Sequence, residues 1–517
     1  MKRVLVEPNR YFDSVFLMRI GREIEDLTGI DQAIVAMGTP ANLDNLRGAG
    51  FAIDESAAPI RPNDLVIAVD ASSEEAFDAA RARLDELLAG SADEDAATAA
   101  RPTSLGEAVD ADPSANLALI SVSGAYAARE ARRALRRGLH VMLFSDNVSV
   151  DDEIALKRDA VERGLLMMGP DCGTAILNGV PLGFANVCHR GTIGIVGASG
   201  TGIQEVSSLV HQLGGGISQA IGTGGRDLSS DVGAAMTRFG IAALADDPGT
   251  DVLVVVSKAP AVCVIPDLLE TLEAAGKPAI VQFVGWDPEK ADPAWLESPV
   301  TFAQTLEEAA GLACEAAGLE VSLPEPLAGV PAKSGTPPYD PAVGRIVGLY
   351  CGGTLCQEAW GLLDRAGIDV VSNVAFDPAK KVHPEAQVAG HVLWDLGDDA
   401  FTVGRPHPMI EPSLRDDLVI RAANDPHVGI VLVDCVLGYG AHDDPAGSLA
   451  AAAERAIAAA AADGRTLRVI ASVTGTDLDP QNATEQRRTL GAAGVDVADS
   501  NAAAVRAAIA RLRGASR

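Results

Sequence analysis

Two short stretches of the chain bring glycines and hydroxyls together where an apolar run should give way to a helix. Ser199, Gly200, Thr201 and Gly202 follow the run at 193–198, and Gly352, Gly353 and Thr354 follow the run at 347–351. A helix start exposes backbone N–H groups without intrahelical partners and concentrates positive dipole charge, and glycine lets a ligand approach that backbone closely. The chemistry such a loop serves is the holding of phosphate or another small anion. A lone glycine loop would read equally well as a tight turn. Here the feature is repeated: IGIVGASGTGIQEVSSLVHQLG from Ile193 and VGLYCGGTLCQEAWGLLDRAG from Val347 share Gly-Thr-x-x-Gln-Glu at one offset, with Gly214 and Gly367 at the expected helix ends. Retention of Gly-Thr at the same point in both copies favours anion binding over mere turning. Neither loop carries the lysine of the G-x-x-x-x-G-K-[ST] nucleotide loop.

Other residues offer chemistry with less support. His407 lies in GRPHPMI between two prolines that stiffen the backbone, and Arg405 precedes it by two positions. They form the candidate catalytic pair, an imidazole for proton transfer and a guanidinium for an anion. A single loop histidine is also compatible with a purely structural place. Asp171 and Cys172 in GPDC and Asp227 in GTGGRD are pocket candidates. Cys172 reads first as a small buried hydrophobe and the aspartates as helix caps. His383 and His391 lack metal-ligand spacing and no C-x-x-C pair occurs, so no metal is expected.

The elements that must position these residues follow from periodicity. Residues 1–90 alternate strands such as DQAIVAMG and DLVIAVDA with the amphipathic DSVFLMRIGREIEDL, a small α+β domain. Residues 91–112, opening on SADEDAATAARPTS, read as a linker. NLALISVSG, the arginine-rich AAREARRALRRG and HVMLFSDN make a strand–helix–strand unit within 113–188, with a parallel sheet. A third domain spans 189–320 and a fourth 344–517, joined by the proline-rich stretch at 321–343. TDVLVVVSKAP matches VGIVLVDCVLGYG and KPAIVQFVG matches LRVIASVTG, so the third and fourth domains are copies. The fourth has an added element around HVLWDLGDDAFTVGRPHPMI, near its loop.

Bulk properties exclude several function classes. At 517 residues the chain is too long for one core. Against 41 basic residues stand 71 acidic ones, a net charge of −30 that repels nucleic acid and leaves small anions to be held by local amides and arginines. No apolar run reaches membrane-span length and MKRVLVEPNR lacks a signal-peptide core, so no membrane partner is expected and the expected location is cytoplasmic. Seven scattered cysteines read as reduced thiols.

MGPDCGTAILNGVPLGF followed by GTIGIVGASGTGIQE and AIGTGGRDL resembles the stretch of succinyl-CoA synthetase α subunits that runs from a Gly-Pro-Asn-Cys motif into the Ser-Gly-Thr helix. CGGTLCQEA resembles the matching helix of the β subunit's C-terminal domain. One chain joining both, with YFDSVFLMRI and MGTPANLDNLRGAG near its start, is similar to the FdrA branch of that superfamily over essentially its whole length. The resemblance implies an α/β fold: a Rossmann-like CoA-binding-type domain, two flavodoxin-like CoA-ligase-type domains with parallel sheets, and the small N-terminal α+β domain. It also implies that the two loops face each other across one site where an acyl phosphate is handled.

Three departures limit what carries over. The segment after VQFVG has no histidine until His383, so the phosphohistidine loop has no match; Lys258 and its neighbours stand where the synthetases have a glutamate; and no ATP-grasp domain is present. The glycine-rich CoA loop has no counterpart before the middle unit either, which argues against CoA, and no cofactor is assigned. The FdrA resemblance then implies a subunit that uses carbamoyl phosphate or another acyl phosphate, most concretely in oxamate carbamoyl transfer in allantoin breakdown, working with other subunits and compatible with a homo-oligomer. An ADP-forming acyl-CoA ligase component and a non-catalytic scaffold are the alternatives.

Overall fold

A computed structural model describes residues 1–10, 12, 14–25, 27–53, 59–93, 102–285, 292–321, 344–384, 386–402 and 406–514. Arg405 and the proline-rich stretch at 322–343 lie outside the described residues. Residues 1–111 with Thr402 and Pro406 form one unit, and residues 112–401 with 407–514 another.

In the first unit, β1 (Lys2–Glu7), β2 (Ile30–Met37) and β3 (Leu65–Ala71) form an antiparallel sheet with β3 in the centre. Helix α1 (Ser14–Glu25) turns Leu17, Ile20 and Ile24 to it at helical spacing, and α3 (Glu74–Asp93) turns Phe77, Ala80, Leu84 and Leu88. Alternate residues of β3, Val66 and Ala68, face Leu43 and Leu46 of α2 (Pro40–Gly48). The stretch expected as a linker holds the helix α4 (Leu105–Ala111).

The second unit begins with a small parallel sheet of β4 (Leu117–Ile120), β5 (His140–Leu143) and β6 (Met167–Met168), with helices α5 (Gly124–Arg136) and α6 (Val150–Glu162) between them in sequence. Next, β7 (Thr174–Leu177) and β8 (Val180–Gly183) make a hairpin whose β7 pairs with β10 (Ile217–Gly222), at the edge of the following sheet. That sheet runs β13-β12-β11-β9-β10-β7-β8, with β9 (Arg190–Ala198), β11 (Val252–Lys258), β12 (Ala279–Val284) and β13 (Thr301–Ala303) all parallel. Helices α7 (Gly200–Gln212), α8 (Ala235–Asp246), α9 (Ile265–Ala274), α10 (Pro293–Leu296) and α11 (Leu306–Ala316) alternate with its strands.

The copy repeats this plan with one addition. Its sheet runs β15-β16-β14-β17-β18-β19, all parallel: β14 (Arg345–Tyr350), β15 (Val370–Ser372), β16 (His391–Asp395), β17 (Val428–Val436), β18 (Arg468–Thr474) and β19 (Asp496–Ala498). Strand β16 is the added element and separates β14 from β15, whereas in the first copy β9 and β10 are neighbours. Helices α12 (Gly353–Arg365), α13 (Asp399–Thr402), α14 (Ser413–Ala423), α15 (Pro445–Ala462), α16 (Ala483–Ala492) and α17 (Asn501–Leu512) complete it. One apolar core, containing Leu209 and Val210 of α7, Ala313 of α11, Leu355 of α12 and Ile509 of α17, joins the inner faces of both sheets. The open parallel sheets put both glycine loops at the carboxyl ends of their central strands, where such sheets hold ligands.

Candidate functional site at two helix starts

Helix α7 opens on Ser199 in extended conformation, its hydroxyl accepting the Gly202 N–H at 3.1 Å, an N-cap. The same hydroxyl lies 2.6 Å from the Thr354 hydroxyl in the first turn of α12. A Cβ added to Gly352, the N-cap position of α12, would meet the Thr201 methyl at 2.9 Å. The two helix starts therefore interlock, Thr354 on Ser199 and Thr201 on Gly352. Gly200 backs onto Thr174, whose hydroxyl donates to the Phe184 carbonyl at 2.7 Å.

Because Gly352 has no side chain, a carboxylate from β17 caps α12 instead. Asp434 is fully buried, and its two oxygens accept the Cys351 and Gly352 N–H groups at 2.7 Å each. Burial pushes its carboxyl pKa up, against those amides and the cation of Arg415. Val256 holds the matching place in the first copy, on the ladder register that pairs β11 with β9. The amide of Gly352 is thus engaged by the chain itself.

Asp395, at the end of β16, stands on the other side of this turn. Its Oδ1 accepts the Gly397 N–H at 3.0 Å, and a Cβ on Gly353 would fall 2.4 Å from Oδ2. Burial lifts its carboxyl to about 7, opposed first by Lys258. Lys258 is exposed at the end of β11 and also opposes the rise that desolvation causes in the carboxyl pKa of Asp171.

His407 borders the same ground. Its Nδ1 accepts the Met409 N–H at 3.2 Å, its ring lies 5.9 Å from that of Phe184, and Nε2 sits 2.5 Å from where a Cβ on Gly397 would be. Burial lowers its pKa to about 4, so it is neutral at physiological pH and offers the Nε2 proton as a donor.

The remaining candidates divide. Cys172 is buried, its thiol raised to about 12 by burial, and donates to the Gly222 carbonyl at 3.4 Å; it is no thiolate nucleophile. Asp227 caps α8 through Thr237 N–H at 2.7 Å and pairs with the buried Lys157 at 2.7 Å. Asp171 is exposed with a positive φ of 57°. Asp395 and Asp434 were not singled out from sequence. Their signal was legible: each is the lone carboxylate of an apolar strand, HVLWD and VGIVLVDCV.

Comparison with known proteins follows this geometry. A model of the CoA-ligase family matches residues 349–511, a CoA binding domain model matches 189–285, and one described as AllF, heavy metal-associated domain, matches 1–103. The uncharacterized protein YahF of Escherichia coli (strain K12) is 43% identical over 507 residues, covering 96% of each chain. The chain belongs to the FdrA-type, succinyl-CoA synthetase-like family. The succinate–CoA ligase (ADP-forming) subunit alpha of Methanothermobacter thermautotrophicus is 29% identical over 159 residues, 29% of this chain and 52% of that one. The acetyl-coenzyme A synthetase 1 of Ca. Korarchaeum cryptofilum, solved with phosphate and ADP, covers 77% of this chain and 84% of its own at 16% identity, with a TM-score of 0.33.

The first 111 residues contain neither cysteine nor histidine, so the segment that matches the heavy metal-associated model has no thiolate or imidazole donor. Among the described residues no group of three or more His, Cys, Asp or Glu is placed to hold a metal ion. Nor is any described helix long and apolar enough to cross a membrane.

Proposed function

We propose that the chain is the subunit of a transferase that holds a ready-made acyl phosphate at the paired helix starts, carbamoyl phosphate being the donor and an anionic amide such as oxamate the acceptor. The observation that carries this reading is the 2.6 Å contact between the Ser199 and Thr354 hydroxyls, which brings together two helix N-termini whose dipoles favour an anion. Phosphate would sit on the first-turn amides of α7 and α12, with Lys258 supplying a cation where the synthetases have a carboxylate. The developing oxyanion would take the same dipoles and the Nε2 proton of His407. A donor already activated needs no ATP-grasp domain. The reading also takes the protein to be cytoplasmic and to work with partner subunits.

The test is phosphate release from carbamoyl phosphate by the chain reconstituted with its partner subunits, with and without oxamate. Oxamate-dependent release is expected. Its absence would leave another acyl phosphate as donor. A second reading, an ADP-forming acid–CoA ligase component with a separate ATP-grasp chain, is favoured by the CoA-binding and CoA-ligase matches. Calorimetry with CoA separates the two: micromolar affinity supports the ligase, and no measurable heat the transferase.

A further inference from the structure

The second copy differs from the first by β16, and what β16 delivers to the site is Asp395. The ladder pairs Asp395 with Tyr350, the last residue of β14, so its side chain arrives level with the start of the loop. Asn373 fixes it from both sides, accepting the Asp395 N–H at 2.9 Å and donating to the Asp395 carbonyl at 3.0 Å. The residue is 7% exposed. Oδ1 is engaged by Gly397, whereas Oδ2, against Gly353, has no hydrogen bond among the described residues. A carboxylate oxygen that no protein donor holds, in a side chain this buried and set against a helix start, is placed to exchange a proton or meet a ligand.

The charged groups facing it are Lys258, Asp398 and Asp434, with the neutral His407 across Gly397. Of these charges only Lys258 favours the ionised form, aided by the Gly397 N–H. An anion entering beside Oδ2 would add a like charge at close range, which drives a carboxylate to take up a proton.

Resting on the acyl-phosphate reading above, we infer that Asp395 is the site's proton carrier, loaded by anion binding and relaying the proton during transfer. As the acceptor's amide nitrogen bonds to the carbamoyl carbon, the bond from that carbon to the phosphate oxygen breaks. Asp395 gives its proton to the departing phosphate and takes one from the attacking nitrogen. The sum is carbamoyl phosphate and oxamate to oxalurate and hydrogen phosphate, with Asp395 returned to its loaded form. Its carboxyl, lifted to about 7 by burial, exchanges protons easily near neutral pH.

The test uses sulfate, which stays dianionic in this range and so adds no titration of its own. Sulfate binding to the full chain at pH 7.5 is measured by calorimetry in buffers of different ionisation enthalpy. Uptake of roughly half a proton per sulfate is expected. Asp395→Asn should bind sulfate within a few-fold of the parent affinity with no uptake. Should that variant not fold, Lys258→Met leaves Asp395 in place but loads it before binding, so uptake should shrink. A buffer-independent binding enthalpy in the parent, or no sulfate binding, overturns the inference. Proton uptake without oxamate-dependent phosphate release keeps the proton site and removes the carbamoyl reading instead.

Discussion

Glu205 and Glu358, at matching places in the two copied helices, each cap the last helix of the other copy. Glu205 Oε1 accepts the Asn501 N–H of α17 at 3.0 Å, and Glu358 Oε1 accepts the Leu306 N–H of α11 at 2.7 Å. The Asn501 side chain then donates to Glu358 Oε2 at 2.8 Å, tying the pair together. A carboxylate at a helix start is favourable and a buried polar atom needs its partner, so the exchange gives each copy a reason to keep its glutamate. It also fixes α7 against α12, and with them the meeting of Ser199 and Thr354.

Both carboxyls are buried, and burial raises both pKa values, that of Glu358 to about 7. A group whose folded pKa is raised contributes stability that is present below its unfolded pKa and lost as pH rises through the folded value. Glu358 should therefore weaken the fold as pH rises from about 4.5 through about 7, by up to a few kcal/mol at about 1.4 kcal/mol per pKa unit. Glu358→Gln, uncharged throughout, should remove that slope. The check is the parent-minus-variant difference in melting temperature across this range; a flat difference contradicts the assignment.

Gly353 should tolerate no side chain, because a Cβ there would fall 2.4 Å from the Asp395 carboxylate. Gly353→Ala should lower phosphate or sulfate affinity by about tenfold or more, roughly the 1.4 kcal/mol of a displaced first-turn contact. Gly367→Ala is the control. That glycine caps the same helix at a φ of 75° in open space, so the substitution should cost about 1 kcal/mol of stability and leave anion affinity alone.

The copied loops, their helices and their glycine ends were legible because periodicity and glycine placement are local signals, and the structure closes α7 and α12 at Gly214 and Gly367, both at positive φ. The added element was placed correctly in the chain, but its insertion between β14 and β15 was not, since sheet order is set by non-local pairing. Asp434 escaped for the same reason: its role exists only because Gly352, distant in sequence, has no hydroxyl of its own. The shared Gln-Glu was seen as a repeat but not as a cap on the opposite copy. His407 was singled out as a proton-transfer candidate, yet only its packing against Phe184 reveals that it stays neutral.

His407 should not titrate during function. With a pKa near 4, it remains a neutral donor above pH 5, so no inflection near 6.5 in the pH–rate profile should belong to it. His407→Ala should lower turnover more than substrate affinity, and should also destabilise the fold through the lost packing on Phe184. Equal loss in affinity and turnover would make the residue a packing element alone.

Lys258 should govern anion affinity from outside the interlocked turns. Its side chain is exposed at the end of β11, where Ser257 pairs with Ala198, so it projects beside the Ser199 loop without supporting the core. Exchanging Lys258 for glutamate would reverse the charge next to Asp395 while leaving both helix starts intact. Two unit charges about 4 Å apart interact by about 1 kcal/mol in water and more near a protein surface, so reversal should cost roughly tenfold or more in sulfate affinity. The loss should be larger at low ionic strength, because an exposed charge is screened. Melting temperature should change little, which separates this effect from that of Gly353→Ala. The measurement is sulfate affinity of the parent and of Lys258→Glu by calorimetry at low and high salt; unchanged affinity at both would move the anion away from the β11 end and out of the space between the two loops.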